Sequence, residues 1–165
     1  MLKAGKTTIN EGCMSKQQDI ANVLIADNDS ELARFMLEIL ARKGIRGHLV
    51  GSKEKALDFI SKCNCDFLFV SDTINPRSDK FDRSQDGFEL LGEVKENWPE
   101  LPVVMITGAR KAEPINQQQT VTTAVRAVRQ GCCDFLIKPL DREKVEILLD
   151  TYLPNHDVST AASAD

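Results

Sequence analysis

At 165 residues the chain is long enough to bury one good hydrophobic core and is sized for a single domain. Its 42% hydrophobic and 28% charged residues are ordinary for a globular protein, and a formal net charge of −4 argues against nucleic acid as the main partner, because phosphate backbones demand a basic surface. No apolar run approaches the roughly 20 residues of a membrane-spanning helix, and the N-terminus lacks the apolar stretch of a secretory signal. The five cysteines (Cys13, Cys63, Cys65, Cys132 and Cys133) are an odd number that suits reduced thiols in a cytoplasmic setting better than a disulfide framework.

In chain order, residues 1–20 are polar without sustained period and read as a disordered leader, with Met14 opening a stretch that looks like a natural start. Residues 21–153 carry the regular pattern. VLIAD (23–27) is a continuous apolar run, as expected of a strand buried on both faces. Ser30 is placed to cap the helix ELARFMLEIL, whose Leu32, Phe35, Met36, Ile39 and Leu40 fall at helical spacing and which Gly44 ends. GHLV (47–50) is a shorter strand, and Ser52 caps the helix KEKALDFISK. FLFVSD (67–72) is a second buried run, followed by a long polar loop and the helix GFELLGEVKENW, which stops before Pro99. PVVMIT (102–107), the helix TTAVRAVRQ closed by Gly131, DFLIK (134–138) and the helix REKVEILLDTYL complete the series. Pro154 ends the last helix, and 154–165 reads as a disordered tail. Strands alternating with helices predict one α/β domain, a parallel sheet covered on both sides.

The informative feature is what ends the buried strands: Asp27 with Asn28 and Asp29, then Asp72, then Thr107, then Lys138. In an open parallel sheet the carboxyl ends of the strands share one edge, where ligands bind. Clustered carboxylates repel one another, and a hard cation such as Mg²⁺ relieves that repulsion through oxygen ligands. A carboxylate among them can attack phosphorus to form an aspartyl phosphate. Transfer then depends on neutralising the phosphoryl oxygens, which Mg²⁺, the Lys138 ammonium and the Thr107 hydroxyl would supply. Each residue alone has an ordinary reading as a turn, cap or solvated side chain. Their joint occurrence at matching strand ends is what points to a site.

These stretches resemble the receiver domains of two-component response regulators. VLIADNDSELARFMLEIL is similar to the family's acidic-pair strand and first helix, and SDTINP to its phosphoacceptor strand. DGFELL resembles the start of its third helix, MITG its switch threonine, and AVRAVRQGCCDFLIKPL its fourth helix and lysine–proline strand end. The resemblance implies a doubly wound, flavodoxin-like α/β/α fold with strand order 2-1-3-4-5. It implies that Asp72 is the phosphoacceptor and that Asp27, Asn28, Asp72 and the backbone carbonyl of Ile74 hold Mg²⁺. Thr107 and Lys138 would contact the phosphoryl group, with Phe135 as the switch aromatic coupled to Thr107. The implied partners are a histidine kinase or histidine phosphotransfer protein, a downstream protein bound through the helix 4, strand 5 and helix 5 face, and a second copy of the chain, with neither nucleic acid nor membrane bound directly. The role is signalling rather than enzymatic. No output domain is expected within these residues, so the chain acts alone or is the receiver fragment of a longer one.

Three departures stand out. Asn28 replaces the usual second acidic residue, which removes one charge and lowers the expected metal affinity; Asp29 is a candidate to compensate. The loop from Pro76 to Asp86 and the loop after Thr107 are both long, and Asp79 and Asp82 of the first could approach the metal. Ile74 offers no polar side chain to orient an attacking water, so self-dephosphorylation is expected to be slow. Two other readings accompany the main one: a degenerate receiver serving as a phosphorylation-independent scaffold, and a haloacid-dehalogenase-like phosphatase with Asp27 as nucleophile and Asp29 as acid/base.

The Cys63/Cys65 and Cys132/Cys133 pairs invite a four-thiolate zinc site, but they precede strands that another strand should separate. His48 and His156 have no evident partner in the sequence. Ala124, Val125, Ala127 and Val128 form an apolar stripe expected to face the core on one side.

Overall fold

The computed structural model of the protein describes residues 20–71, 74, 85–107 and 117–153. Residues 1–19, the tail with His156, Asp72, and residues 75–84 (Asp79 and Asp82 among them) and 108–116 of the two long loops lie outside the described residues; the second loop is shorter than expected, since the helix after it begins at Gln117 rather than at Thr122. The elements alternate: β1 (Asn22–Ala26), α1 (Ser30–Arg42), β2 (Arg46–Val50), α2 (Lys53–Lys62), β3 (Phe67–Ser71), α3 (Gln85–Asn97), β4 (Val103–Thr107), α4 (Gln117–Arg129), β5 (Asp134–Ile137) and α5 (Arg142–Tyr152). The strands form one five-stranded sheet in the order β2-β1-β3-β4-β5, every pair parallel. Both the parallel sheet and the order implied by the resemblance are observed.

Why β1, β3 and β4 carry unbroken apolar runs follows from the two-residue period of a strand, which sends neighbouring side chains to opposite faces. Val23, Ile25, Phe67, Phe69, Val104 and Ile106 point into one layer, against Met36, Ile39 and Leu40 of α1 and Val145 and Leu149 of α5. Leu24, Ala26, Leu68, Val70, Val103 and Met105 point into the other, against Ile60 of α2, Leu91 and Val94 of α3 and Ala127 of α4. Two cores therefore sandwich the sheet. The edge strands β2 and β5 are only partly covered, which accounts for their weaker hydrophobic runs.

The helix boundaries follow the capping chemistry with one correction. Asp29, not Ser30, caps α1: its carboxylate accepts from the backbone N–H of Glu31 and Leu32, both at 3.1 Å. Ser52 Oγ accepts from Lys55 N at 3.1 Å to start α2, and Asp141 Oδ1 accepts from Glu143 N at 3.1 Å to start α5. Gly44 and Gly131, with φ of +74° and +106°, take the left-handed conformation that ends α1 and α4. Lys53 ties α2 to α3 by contacting Glu89 at 3.3 Å and Glu93 at 3.2 Å. Burial works against its charge, but the hydrogen bonds to Glu93 and Glu89 hold its pKa above the usual lysine value. On α4 the expected apolar stripe divides: Ala127 is buried, whereas Val125 and Val128 face solvent. A helix on one layer of a sandwich needs only a narrow inward stripe, and Ala127 with its neighbours supplies it.

The paired cysteines are separated as expected, since β4 lies between β3 and β5. Cys65, Cys132 and Cys133 are free thiols. Burial pushes the Cys65 thiol up to about 12 and Cys132 up to about 11. His48, on edge strand β2, does find a partner: its Nε2 lies 3.1 Å from Asn22 Oδ1, and its ring packs on Phe59 at 4.7 Å between centroids. Among the described residues, no helix is long and apolar enough to cross a membrane.

Two predictions arise from these buried groups. Because burial, and then the Arg46 charge, lower the His48 pKa from 6.5, the folded chain binds fewer protons there than the unfolded one. Its contribution is complete above about pH 6.5 and is lost as pH falls through the lower folded value. Urea unfolding at pH 7.5 and 5.5 should show that His48→Phe loses less stability on acidification than the wild type; equal losses would exclude His48 as a source of the slope. In the native protein, Cys65 should resist iodoacetamide for far longer than in urea, as followed by peptide mass spectrometry.

Candidate functional site at the carboxyl rim of the sheet

Parallel pairing brings the carboxyl ends of all five strands to one edge. Asp27 follows Ala26 at the end of β1, with its backbone N–H donating to Val50 O of β2 at 3.0 Å. Asp27 is 2% exposed, and its Oδ1 accepts from Asp29 N at 3.0 Å. Ser71 ends β3 between β1 and β4, opposite Ile106, and Asp72 is the next residue in the chain. Thr107 ends β4, and its carbonyl accepts from Lys138 N at 2.7 Å. Lys138 follows β5 and is joined to Pro139 by a cis peptide bond. Asp27, Thr107 and Lys138 are thus brought to the rim that the strand ends predicted.

Asn28 is exposed, yet its side chain reaches two carbonyls at once. Its Nδ2 donates to Gly51 O, just past β2, at 2.9 Å and to Ile74 O, just past β3. Both partners are pure acceptors, so the amide nitrogen, not the oxygen, must face them. Ile74 itself is fully buried in the layer with α2 and α3, so its side chain is absent from the rim and only its carbonyl takes part. Asp27 carboxylate and Ile74 carbonyl are hard oxygen donors of the kind Mg²⁺ takes. The bridge through Asn28 shows that the ends of β1 and β3 converge, and the donor set fits the ion once Asn28 offers Oδ1 in place of Nδ2.

Asp29 does not turn toward that cluster. Its Oδ1 caps α1, while its Oδ2 lies 3.8 Å from Lys138 Nζ. The expectation that Asp29 stands in for the missing acidic charge is therefore corrected: the two amide donors at the helix start hold it. Phe135, on β5 beside Met105, is partly buried against the α2, α3 and α4 layer. Gly51 is the rim residue that sequence reasoning passed over. Its position directly after a strand end was the available signal, and a Cβ there would stand 3.0 Å from Asn28 Oδ1.

With that geometry in view, the likenesses to known proteins are informative. The family model described as response regulator receiver domain matches residues 23–150. The chain belongs to the receiver domains of two-component response regulators. It is 31% identical over 121 residues to the response regulator protein FleR of Pseudomonas aeruginosa, covering 73% of this chain and 22% of that protein. It is 28% identical over 138 residues to the heme response regulator HssR of Staphylococcus epidermidis, covering 84% of this chain and 54% of the relative. The DNA-binding transcriptional regulator NtrC of a Bradyrhizobium strain is 26% identical over 143 residues, 86% of this chain and 26% of that one. The chain thus spans about half or less of these relatives.

Among solved structures, the receiver domain of NtrX from Brucella abortus superposes with a TM-score of 0.66 at 27% identity, covering 80% of this chain and 98% of that one. A longer NtrX structure from the same organism gives a TM-score of 0.67 at 26% identity, covering 88% of this chain but 29% of that one. Receiver domains are signalling modules, and in general they bind Mg²⁺ at the phosphorylation site. Membership sets aside the phosphatase alternative. Its nucleophile would be the buried Asp27, and its acid/base would be Asp29, which is committed to the α1 cap.

The two contacts of Asp29 can be separated. Asp29→Ala should cost about 1 kcal/mol in urea unfolding through loss of the cap. Asp29→Asn, which keeps a capping oxygen and loses only the long, partly exposed ion pair, should stay within about 0.5 kcal/mol of wild type. Equal losses would mean that the Lys138 pair, not the cap, holds the helix start.

Proposed function

We propose that the chain is a receiver that accepts a phosphoryl group on Asp72 from a histidine kinase or histidine phosphotransfer protein and thereby switches its protein contacts. The observation that carries this reading is the convergence of Asp27, Thr107 and Lys138 at the ends of β1, β4 and β5, around the end of β3 that runs into Asp72. In the transfer, a carboxylate oxygen of Asp72 bonds to phosphorus as the phosphorus–nitrogen bond of the phosphohistidine breaks. The imidazole leaves with the bonding pair and takes up a proton. Lys138 and the Thr107 hydroxyl receive the charge of the phosphoryl oxygens. Asp27, Asp72, the Ile74 carbonyl and Asn28 would hold Mg²⁺, which when bound neutralises the same oxygens. With Ile74 turned into the core, no side chain at that position orients an attacking water, so the phosphoryl group should persist.

The output of the switch is assigned to α4, β5 and α5. Val121, Val125 and Val128 on α4, Ile137 on β5 and Ile147 on α5 are all exposed, apolar surface of the kind that marks protein contact. Phe135, at the inner edge of that face, would follow Thr107. The hydrogen bonds of Asn28 favour a second reading, a scaffold that works without phosphorylation, because an amide donor already satisfies the Ile74 carbonyl.

One experiment separates the two. Intact mass after incubation with acetyl phosphate or phosphoramidate and Mg²⁺ should rise by about 80 Da, and the gain should vanish in Asp72→Ala or with chelator. Folded protein that gains nothing would sink the receiver reading in favour of the scaffold.

A further inference from the structure

Resting on the reading of this rim as a metal-assisted phosphoacceptor site, we propose that Asn28 is a latch that holds the metal-free rim together and must turn before a divalent cation can enter. Three facts meet at this side chain. Its amide nitrogen donates to carbonyls from two different loops, Gly51 O after β2 and Ile74 O after β3. The residue beside its oxygen is a glycine, and any Cβ at position 51 would press on Oδ1 at 3.0 Å. Its backbone follows Asp27, whose carboxylate is buried.

A carboxylate at position 28 would face two carbonyl oxygens and stand next to Asp27. All of these groups carry negative charge or partial charge, and only a cation between them would make the arrangement favourable. The amide reverses the polarity. Its two N–H groups supply the positive ends that a cation would otherwise provide, so the loops are tied together without metal. The Ile74 carbonyl, an oxygen that a cation would take as ligand, is engaged by an N–H instead. Half a turn about the terminal side-chain bond exchanges Nδ2 for Oδ1, and the exposed position of Asn28 leaves it free to make that turn. Metal entry therefore competes with two hydrogen bonds, and the rim becomes a site that stays assembled when the ion is scarce and loads only when it is abundant.

The test compares wild type, Asn28→Asp and Asn28→Ala by thermal unfolding in EDTA and in a Mg²⁺ series, with Mg²⁺ affinity measured by calorimetry. No phosphodonor is present, so the result is independent of whether Asp72 accepts a phosphoryl group. In EDTA both variants should melt about 2–4 °C below wild type, since each loses the two amide bonds. Mg²⁺ should restore Asn28→Asp, leave Asn28→Ala low and scarcely move the wild type. Asn28→Asp should bind Mg²⁺ on the order of tenfold or more tightly than wild type. The latch is overturned if Asn28→Ala melts with wild type in EDTA, or if wild type binds Mg²⁺ as tightly as Asn28→Asp.

Discussion

A parallel sheet covered by helices on both faces must send consecutive residues of each inner strand into opposite layers, and both layers must be dry. In this chain that requirement is met by Val23 to Ala26, Phe67 to Val70 and Val103 to Ile106, whose alternate side chains fill the two cores. Burial of each such large apolar side chain is worth about 1.5–3 kcal/mol, and a slip of one residue would exchange every partner across the sheet. The register is thereby held firmly, and with it the position of whatever follows the last apolar residue of each strand. Asp27, Thr107 and Lys138 share a rim because the cores leave their strands no other place to stop.

At that rim, short polar side chains compete for a few backbone groups. Asp27, Asn28 and Asp29 are consecutive, yet they turn three ways. Asp27 is buried and accepts from the Asp29 N–H. Asn28 bridges the Gly51 and Ile74 carbonyls. Asp29 caps α1 and approaches Lys138. The first turn of a helix presents several unpaired N–H groups, and a carboxylate directly before it is the acceptor best placed to satisfy them. Asp29 is held there for that reason, and the charge missing at position 28 is not replaced from its neighbour.

The departure at position 28 changes the character of the site rather than its place. An acidic side chain would make the rim dependent on a cation for its assembly. An amide makes it self-sufficient through neutral hydrogen bonds, at the expense of a ligand charge. On the face of α4, β5 and α5, Val125 and Val128 lie outside the core that Ala127 enters.

Much was legible in the sequence by itself. The apolar runs marked the inner strands, helical spacing marked the helices, and polar residues at matching strand ends marked the rim, because backbone period and burial act locally and leave a pattern in the order of residues. Ser52 and Gly131 were likewise readable, since caps and left-handed turns are decided within a few residues. What the sequence left open was decided by partners distant in the chain. Which atom of Asn28 faced inward and whether Val125 or Ala127 reached the core both depended on groups supplied by other elements. Gly51 and Ile74 lie 23 and 46 residues from Asn28. Only the folded sheet brings their carbonyls to one side chain, and the direction in which an amide then points is set by the acceptors that surround it.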